Sequence, residues 1–127
     1  MNYYRQVPAV AGELPGLRDA LARWALRTGL ACDRSEALAL ASYEAMANVV
    51  EHAYVRPGAM DVEAVHLSAQ NRVEVTITDR GQWLPLSGER EGGRGLPLIH
   101  RLADEAVITP GSAGTVVRMS WMLDHQG

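Results

Sequence analysis

Residues 72–79, Arg-Val-Glu-Val-Thr-Ile-Thr-Asp, alternate polar and apolar side chains almost without a break. That period of two commits the segment to a half-buried strand. Its phase carries Asp79 onto the same face as Val73, Val75 and Ile77, so a carboxylate points toward the core at the strand's end. Burying a carboxylate without a donor is costly, and the sequence offers no cation in phase with it. A bound group that donates a hydrogen bond is therefore an attractive partner. Gly81, two residues on, would let a flat group approach the backbone, and it equally suits an ordinary turn after a strand.

Such a strand needs a second layer to cover it, and the chain is long enough to supply one. Its 127 residues, 47% hydrophobic, suit one well-packed domain over 1–127 and are too few for two ordinary ones. The net charge of −3 comes from interspersed charges with no basic block, which argues against nucleic acid as a partner. No apolar run approaches the length of a membrane span, and the start Met1-Asn2-Tyr3-Tyr4-Arg5 lacks the pattern of a signal peptide. A cytoplasmic protein without a membrane partner is expected. The single cysteine, Cys32, is expected to be a small buried hydrophobe. All 12 basic residues are arginine, which excludes a phosphate loop ending in Gly-Lys-Ser/Thr.

Periodicity and turn chemistry give the other elements. Residues 3–7 read as a first strand, and 13–28 as a helix with Leu14, Leu17, Leu21 and Trp24 at helical spacing, closed by Gly29. Asp33 is expected to cap a second helix reciprocally with Glu36, the helix running to about Tyr54 before Pro57-Gly58. Strands at 61–69 and 72–79 are expected to form a tight hairpin around Gln70-Asn71. A glycine-rich, charged loop at 82–93 leads to a helix at 95–103, with Pro97 tolerated in its first turn. Strands at 105–109 and 115–123 complete the chain. The strands outnumber the crossovers that a parallel sheet needs. The expected fold class is thus an α/β (α+β) two-layer sandwich, with a mixed, mostly antiparallel sheet and helices on one face.

Three further features carry chemical signals. The second helix is apolar nearly all round, yet Glu44, Asn48 and His52 recur at steps of four and Glu51 follows Glu44 by seven. That stripe is either a solvated face or a site. Gly92-Gly93-Arg94-Gly95 precedes a helix whose free backbone N–H groups attract anions, with Arg94 able to add a charge-assisted contact; a flexible connector has the same composition. Finally, Thr115 is in phase with Val117, Met119 and Trp121, so its hydroxyl faces inward. If the strands ending at Asp79 and beginning at Thr115 run antiparallel, both side chains lie at one end of the sheet, on its helix face.

Taken in order, Glu44, Asn48 and His52-Ala53-Tyr54, then Asp79 and Gly81, then Gly93, Gly95-Leu96 with Leu98-Ile99, then Gly114-Thr115 resemble the N box, the two glycine boxes and the closing threonine of the Bergerat-fold (GHKL) ATPases and kinases. At this size, and over nearly the full chain, the match is most similar to the anti-sigma factor serine/threonine kinases. The resemblance implies that Asp79 accepts the adenine amino group of ATP, that Gly81 leaves room for the ring, and that Thr115 supports the same end of the base. It implies Asn48 as a ligand of Mg²⁺, a cation that prefers hard oxygen donors. It implies nucleotide contacts from His52, Gly93, Gly95 and Leu96, with Arg94 added on its charge, and Glu44 as general base.

The implied activity is phosphoryl transfer from ATP to a serine or threonine of an anti-anti-sigma protein, with sequestration of a sigma factor by a homodimer. The chain departs from the family pattern in its short loop between the glycine boxes and in Trp83, which stands where many relatives have a second glycine. A histidine-kinase catalytic domain would need a helical dimerisation segment, for which there is no room before Tyr43. A non-catalytic nucleotide-binding module, or an ATP-binding domain of a larger phosphatase or sensor fusion, remains the alternative. Histidines 66, 100 and 125 are too scattered for a metal site.

Overall fold

The computed structural model describes residues 2–52, 58–79, 95–111 and 114–123. In chain order the elements are β1 (Tyr3–Pro8), a short 3₁₀ turn (Ala11–Glu13), α1 (Leu14–Arg27), α2 (Cys32–His52) and β2 (Ala59–Leu67). After these come a second 3₁₀ turn (Ser68–Gln70), β3 (Arg72–Asp79), α3 (Gly95–Leu102), β4 (Glu105–Gly111) and β5 (Gly114–Met122). The five strands form one sheet in the order β1-β2-β3-β5-β4. Every described pair is antiparallel. The helices lie on one face, giving the expected α/β two-layer sandwich.

The alternation over 72–79 does what its period requires. Val73, Val75 and Ile77 are fully buried while the residues between them are half-buried. From β5, Val117, Met119 and Trp121 join them beneath Leu14, Leu17, Leu21 and Trp24 of α1 and Leu38, Ala41, Ala45 and Val49 of α2. Complete burial of side chains such as Leu21, Trp24 and Trp121 contributes on the order of 1.5–3 kcal/mol each, so this interlayer is the main source of stability. Helix α1 stops where predicted. Gly29 takes a left-handed φ of +101°, and the Thr28 hydroxyl donates to the Ala25 carbonyl at 2.6 Å.

Some expectations are corrected. Helix α2 begins at Cys32, so Asp33 sits inside its first turn instead of capping it; the Ala31 carbonyl accepts the first helical bond, from the Ser35 N–H at 2.8 Å. Cys32 is exposed, because the buried stripe of α2 begins only at Ser35 and Leu38. The tight hairpin at Gln70-Asn71 is instead a 3₁₀ turn over Ser68–Gln70 followed by Asn71 in the left-handed region, φ 56° and ψ 48°. Asparagine tolerates that conformation, and its side chain explains the choice here: Nδ2 donates to the Leu123 carbonyl at 3.0 Å. Strand β2 starts at Ala59, earlier than residue 61, and β4 continues through Gly111.

Candidate functional site

Asp79 lies at the end of the central strand β3, where its register partners are Met60 on β2 and Thr115 on β5. Partners directly opposite in an antiparallel pair stand about 4.5–5.5 Å apart at Cα and share a face. A thioether, a carboxylate and a hydroxyl thus form a row across three strands, facing the helices. All three are removed from water: Met60 is 0%, Asp79 3% and Thr115 2% exposed. The inward acid and the inward threonine inferred from strand phase are therefore neighbours, and Thr115 offers the kind of donor whose absence makes a buried carboxylate costly. Met60 was missed by the sequence reading, because the strand was expected to start only after it.

Helix α2 brings the second group of residues to the same end of the sandwich. In its first turn the Arg34 guanidinium donates to the Met122 carbonyl at 3.3 Å, and Met122 pairs with Arg72 at the start of β3. At the other end α2 reaches His52, and the chain re-enters the sheet at Ala59, beside Met60 and Asp79. With 21 residues α2 spans about 30 Å, against about 25 Å for the 8 residues of β3. The helix therefore runs the length of the sheet, and Glu44 and Asn48 lie in its half nearer Asp79. Glu44 and Asn48 are both half-buried, one turn apart on one face, whereas Glu51 is exposed. The polar stripe is thus not a uniformly solvated face. Beside it, the Arg18 guanidinium lies 5.6 Å from the centre of the half-buried Tyr43 ring.

Helix α3 runs antiparallel to α2. The Trp121 indole N–H donates to the carbonyl of Leu102, its last residue, at 2.8 Å, which ties the helix C-terminus to the Arg72 end of the sheet. The start at Gly95 consequently points toward the end that holds Asp79 and Thr115. Gly95 and Leu96 open this helix as expected. Gly81, Gly93 and Arg94 lie outside the described residues, as do Trp83 and the side chains of His52 and Leu96.

A second polar cluster sits at the opposite end of the sandwich. Arg34 donates to Asp104 Oδ2 at 2.6 Å, and the Met122 N–H donates to the same oxygen at 2.7 Å. Burial pushes the Asp104 carboxyl up, but the Arg34 hydrogen bond, the Met122 N–H and the Arg34 charge outweigh that effect and hold it below the ordinary aspartate value of 3.8. Nothing in the local sequence pattern signals this contact, which joins residues 70 positions apart. Among the described residues no group of three or more His, Cys, Asp or Glu side chains is placed to hold a metal ion. The Asn48 amide, half-buried one turn after Glu44, carries an oxygen of the hard type that Mg²⁺ prefers. No described helix is long and apolar enough to cross a membrane.

Residues 7–121 match the family model described as histidine kinase-like ATPase domain. The chain is 32% identical to a Halalkalibacterium halodurans protein named serine-protein kinase RsbW, over 94% of this chain and 82% of that one. It is 28% identical to a Bacillus cereus protein of the same name, over 95% and 85% of the two chains. A crystal structure of the RsbU and RsbW domains of a Mycobacterium tuberculosis protein superposes with a TM-score of 0.81 at 24% identity, and covers 100% of this chain. This chain spans 34% of that mycobacterial chain.

Proposed function

We propose that this chain, which belongs to the histidine kinase-like ATPase family, is an ATP-dependent serine/threonine protein kinase that phosphorylates an anti-anti-sigma protein and sequesters a sigma factor. The observation that carries the reading is the buried row at the sheet end, where Asp79 at 3% exposure stands between Met60 and Thr115, on the face along which α2 lays Glu44 and Asn48. An adenine amino group presented to Asp79 supplies a donor to a buried carboxylate, and the Thr115 hydroxyl serves the same edge of the base. Gly81 leaves space for the ring. At the other side of the nucleotide, the helix start at Gly95, with Gly93, Arg94, Leu96 and His52, gathers the phosphates through backbone N–H groups and charge.

In this reading Asn48 would hold Mg²⁺, which when bound would neutralise charge on the transferring group. Glu44 takes the proton from the acceptor hydroxyl as its oxygen forms the new bond to the γ-phosphorus. The bond from that phosphorus to the β,γ-bridging oxygen breaks, and ADP leaves. A carboxylate one turn from the metal ligand has a purpose in group transfer that nucleotide binding alone would not give it. The negative charge placed on the antagonist then separates it from this protein. Residues 1–127 form one domain, acting in the cytoplasm as a homodimer through β1 and α1, where Tyr4 is 56% and Leu26 49% exposed.

The test is incubation with labelled ATP and candidate acceptor proteins, together with calorimetry on two variants. Asn48→Ala is expected to weaken Mg-ATP binding, whereas Glu44→Ala retains binding and loses transfer by a factor of about 10²–10⁴, the usual contribution of a general base. Label appearing on an acceptor serine or threonine supports the kinase. Nucleotide binding without transfer to any acceptor would favour a regulatory module, and unchanged affinity in Asn48→Ala would remove the metal assignment.

A further inference from the structure

The polar cluster far from Asp79 connects the elements on which the proposed site is built. Asp104 lies two residues beyond the end of α3, and its own N–H donates to the Ser120 carbonyl on β5 at 3.0 Å. Its carboxylate accepts from Arg34 on α2 and from the Met122 N–H on β5, and Arg34 also reaches the Met122 carbonyl. The Leu102 carbonyl is held by the Trp121 indole. One closed set of hydrogen bonds thereby fixes the C-terminal end of α3 to the first turn of α2 and to the last residues of β5. Helix α3 has only 8 residues, about 12 Å, so a tilt of about 10° at the clasped end displaces its start by about 2 Å. The base-binding row does not depend on this helix, since Met60, Asp79 and Thr115 are all placed by strand register.

We propose that Arg34, Asp104 and Trp121 are positioning residues for the phosphate end of the nucleotide, setting where the start of α3 stands relative to Asn48 and Glu44, while recognition of the base is independent of them. This rests on the ATP reading of the site. The clasp is a device for alignment more than for bulk stability. Arg34 and Asp104 are each 33% exposed at their side chains, and an ion pair open to solvent contributes little to folding. Precise placement of substrate-binding groups, by contrast, is sensitive to shifts well under a helix diameter.

The test compares two ligands on the full chain, Mg-ATP and adenosine, by competition against a fluorescent adenine nucleotide, below the melting temperature of each variant. Asp104→Asn and Arg34→Gln are partly exposed substitutions that open no cavity. Each is expected to weaken Mg-ATP by about fivefold while adenosine stays within about twofold, and Asp104→Glu is expected to recover part of the loss. Variants that lower the melting temperature yet leave both affinities unchanged, or weaken both ligands equally, would overturn the positioning role and leave the ATP reading intact. Wild-type protein that binds neither ligand would overturn both.

Discussion

The two ends of the sheet treat a carboxylate in opposite ways. At the Arg72 end, Asp104 is a third exposed, and its acceptor oxygen is taken by a guanidinium and a backbone N–H of the same chain. At the other end, Asp79 is 3% exposed, faces the helices, and sits in register between Met60 and Thr115. An acid that serves the fold can stand at the surface, where water shares its solvation and a neighbouring cation completes it. An acid meant to discriminate among ligands is more useful dry, because each hydrogen bond it makes there is worth more than in water. The contrast teaches that burial combined with register, more than charge alone, marks the candidate site.

The strongest way to break this contrast is Asp79→Asn. The substitution keeps size while replacing an acceptor-only group, and loss of a charged hydrogen bond of about 1.5–3 kcal/mol predicts that Mg-ATP affinity falls by about tenfold to a hundredfold. Calorimetry decides, and unchanged affinity would place the base elsewhere. At the other end, Trp121→Phe removes the indole N–H that holds the Leu102 carbonyl and part of a fully buried ring. A loss of about 1–3 kcal/mol in unfolding free energy, hydrogen bond and cavity together, is expected from denaturant titration.

A smaller effect concerns acid. Because the folded Asp104 carboxyl lies below its unfolded value near 3.8, its contribution to stability is present above that pH and is lost as the pH falls through the lower, folded value. The stability difference between wild type and Arg34→Gln is therefore expected to be largest near neutrality and to shrink well below pH 4, as followed by thermal melts across pH. A difference unchanged in strong acid would show that Arg34 acts through the Met122 carbonyl and packing, without its pairing to Asp104. The smallest effect is at Ser42 on α2, a fully buried residue whose hydroxyl has no hydrogen-bond partner among the described residues. Ser42→Ala is expected to leave stability unchanged or raise it by about 1 kcal/mol, since an unsatisfied buried hydroxyl is removed; a clear loss in denaturant titration would contradict this.

How much could be read from the chain itself follows from the range over which each feature is encoded. Strand β3 was legible to the residue, because alternation is a local property, and the meeting of Asp79 with Thr115 followed from phase and strand direction. The α2 stripe was legible as spacing, and the half-burial of Glu44 and Asn48 needed the fold. Cys32 was misplaced because its polarity suggests a core residue, while its position before the first buried turn of α2 decides otherwise. Asp33 carries the chemistry of a cap, but the helix starts one residue earlier. The Arg34–Asp104 contact was invisible, since nothing periodic links side chains so far apart in sequence. The glycines at 81 and 93, and Arg94, fall outside the described residues; the parts of the glycines in the proposal rest on the family resemblance and that of Arg94 on its charge.

Strand β3 is third of five, paired on both sides over its whole length. In a sheet of this kind the border strands, here β1 and β4, fray first, and the middle releases its amide protons only when the whole domain opens. Thermal breathing of the rim then leaves Asp79 where it was. Any loss of nucleotide discrimination on warming should coincide with global melting instead of preceding it.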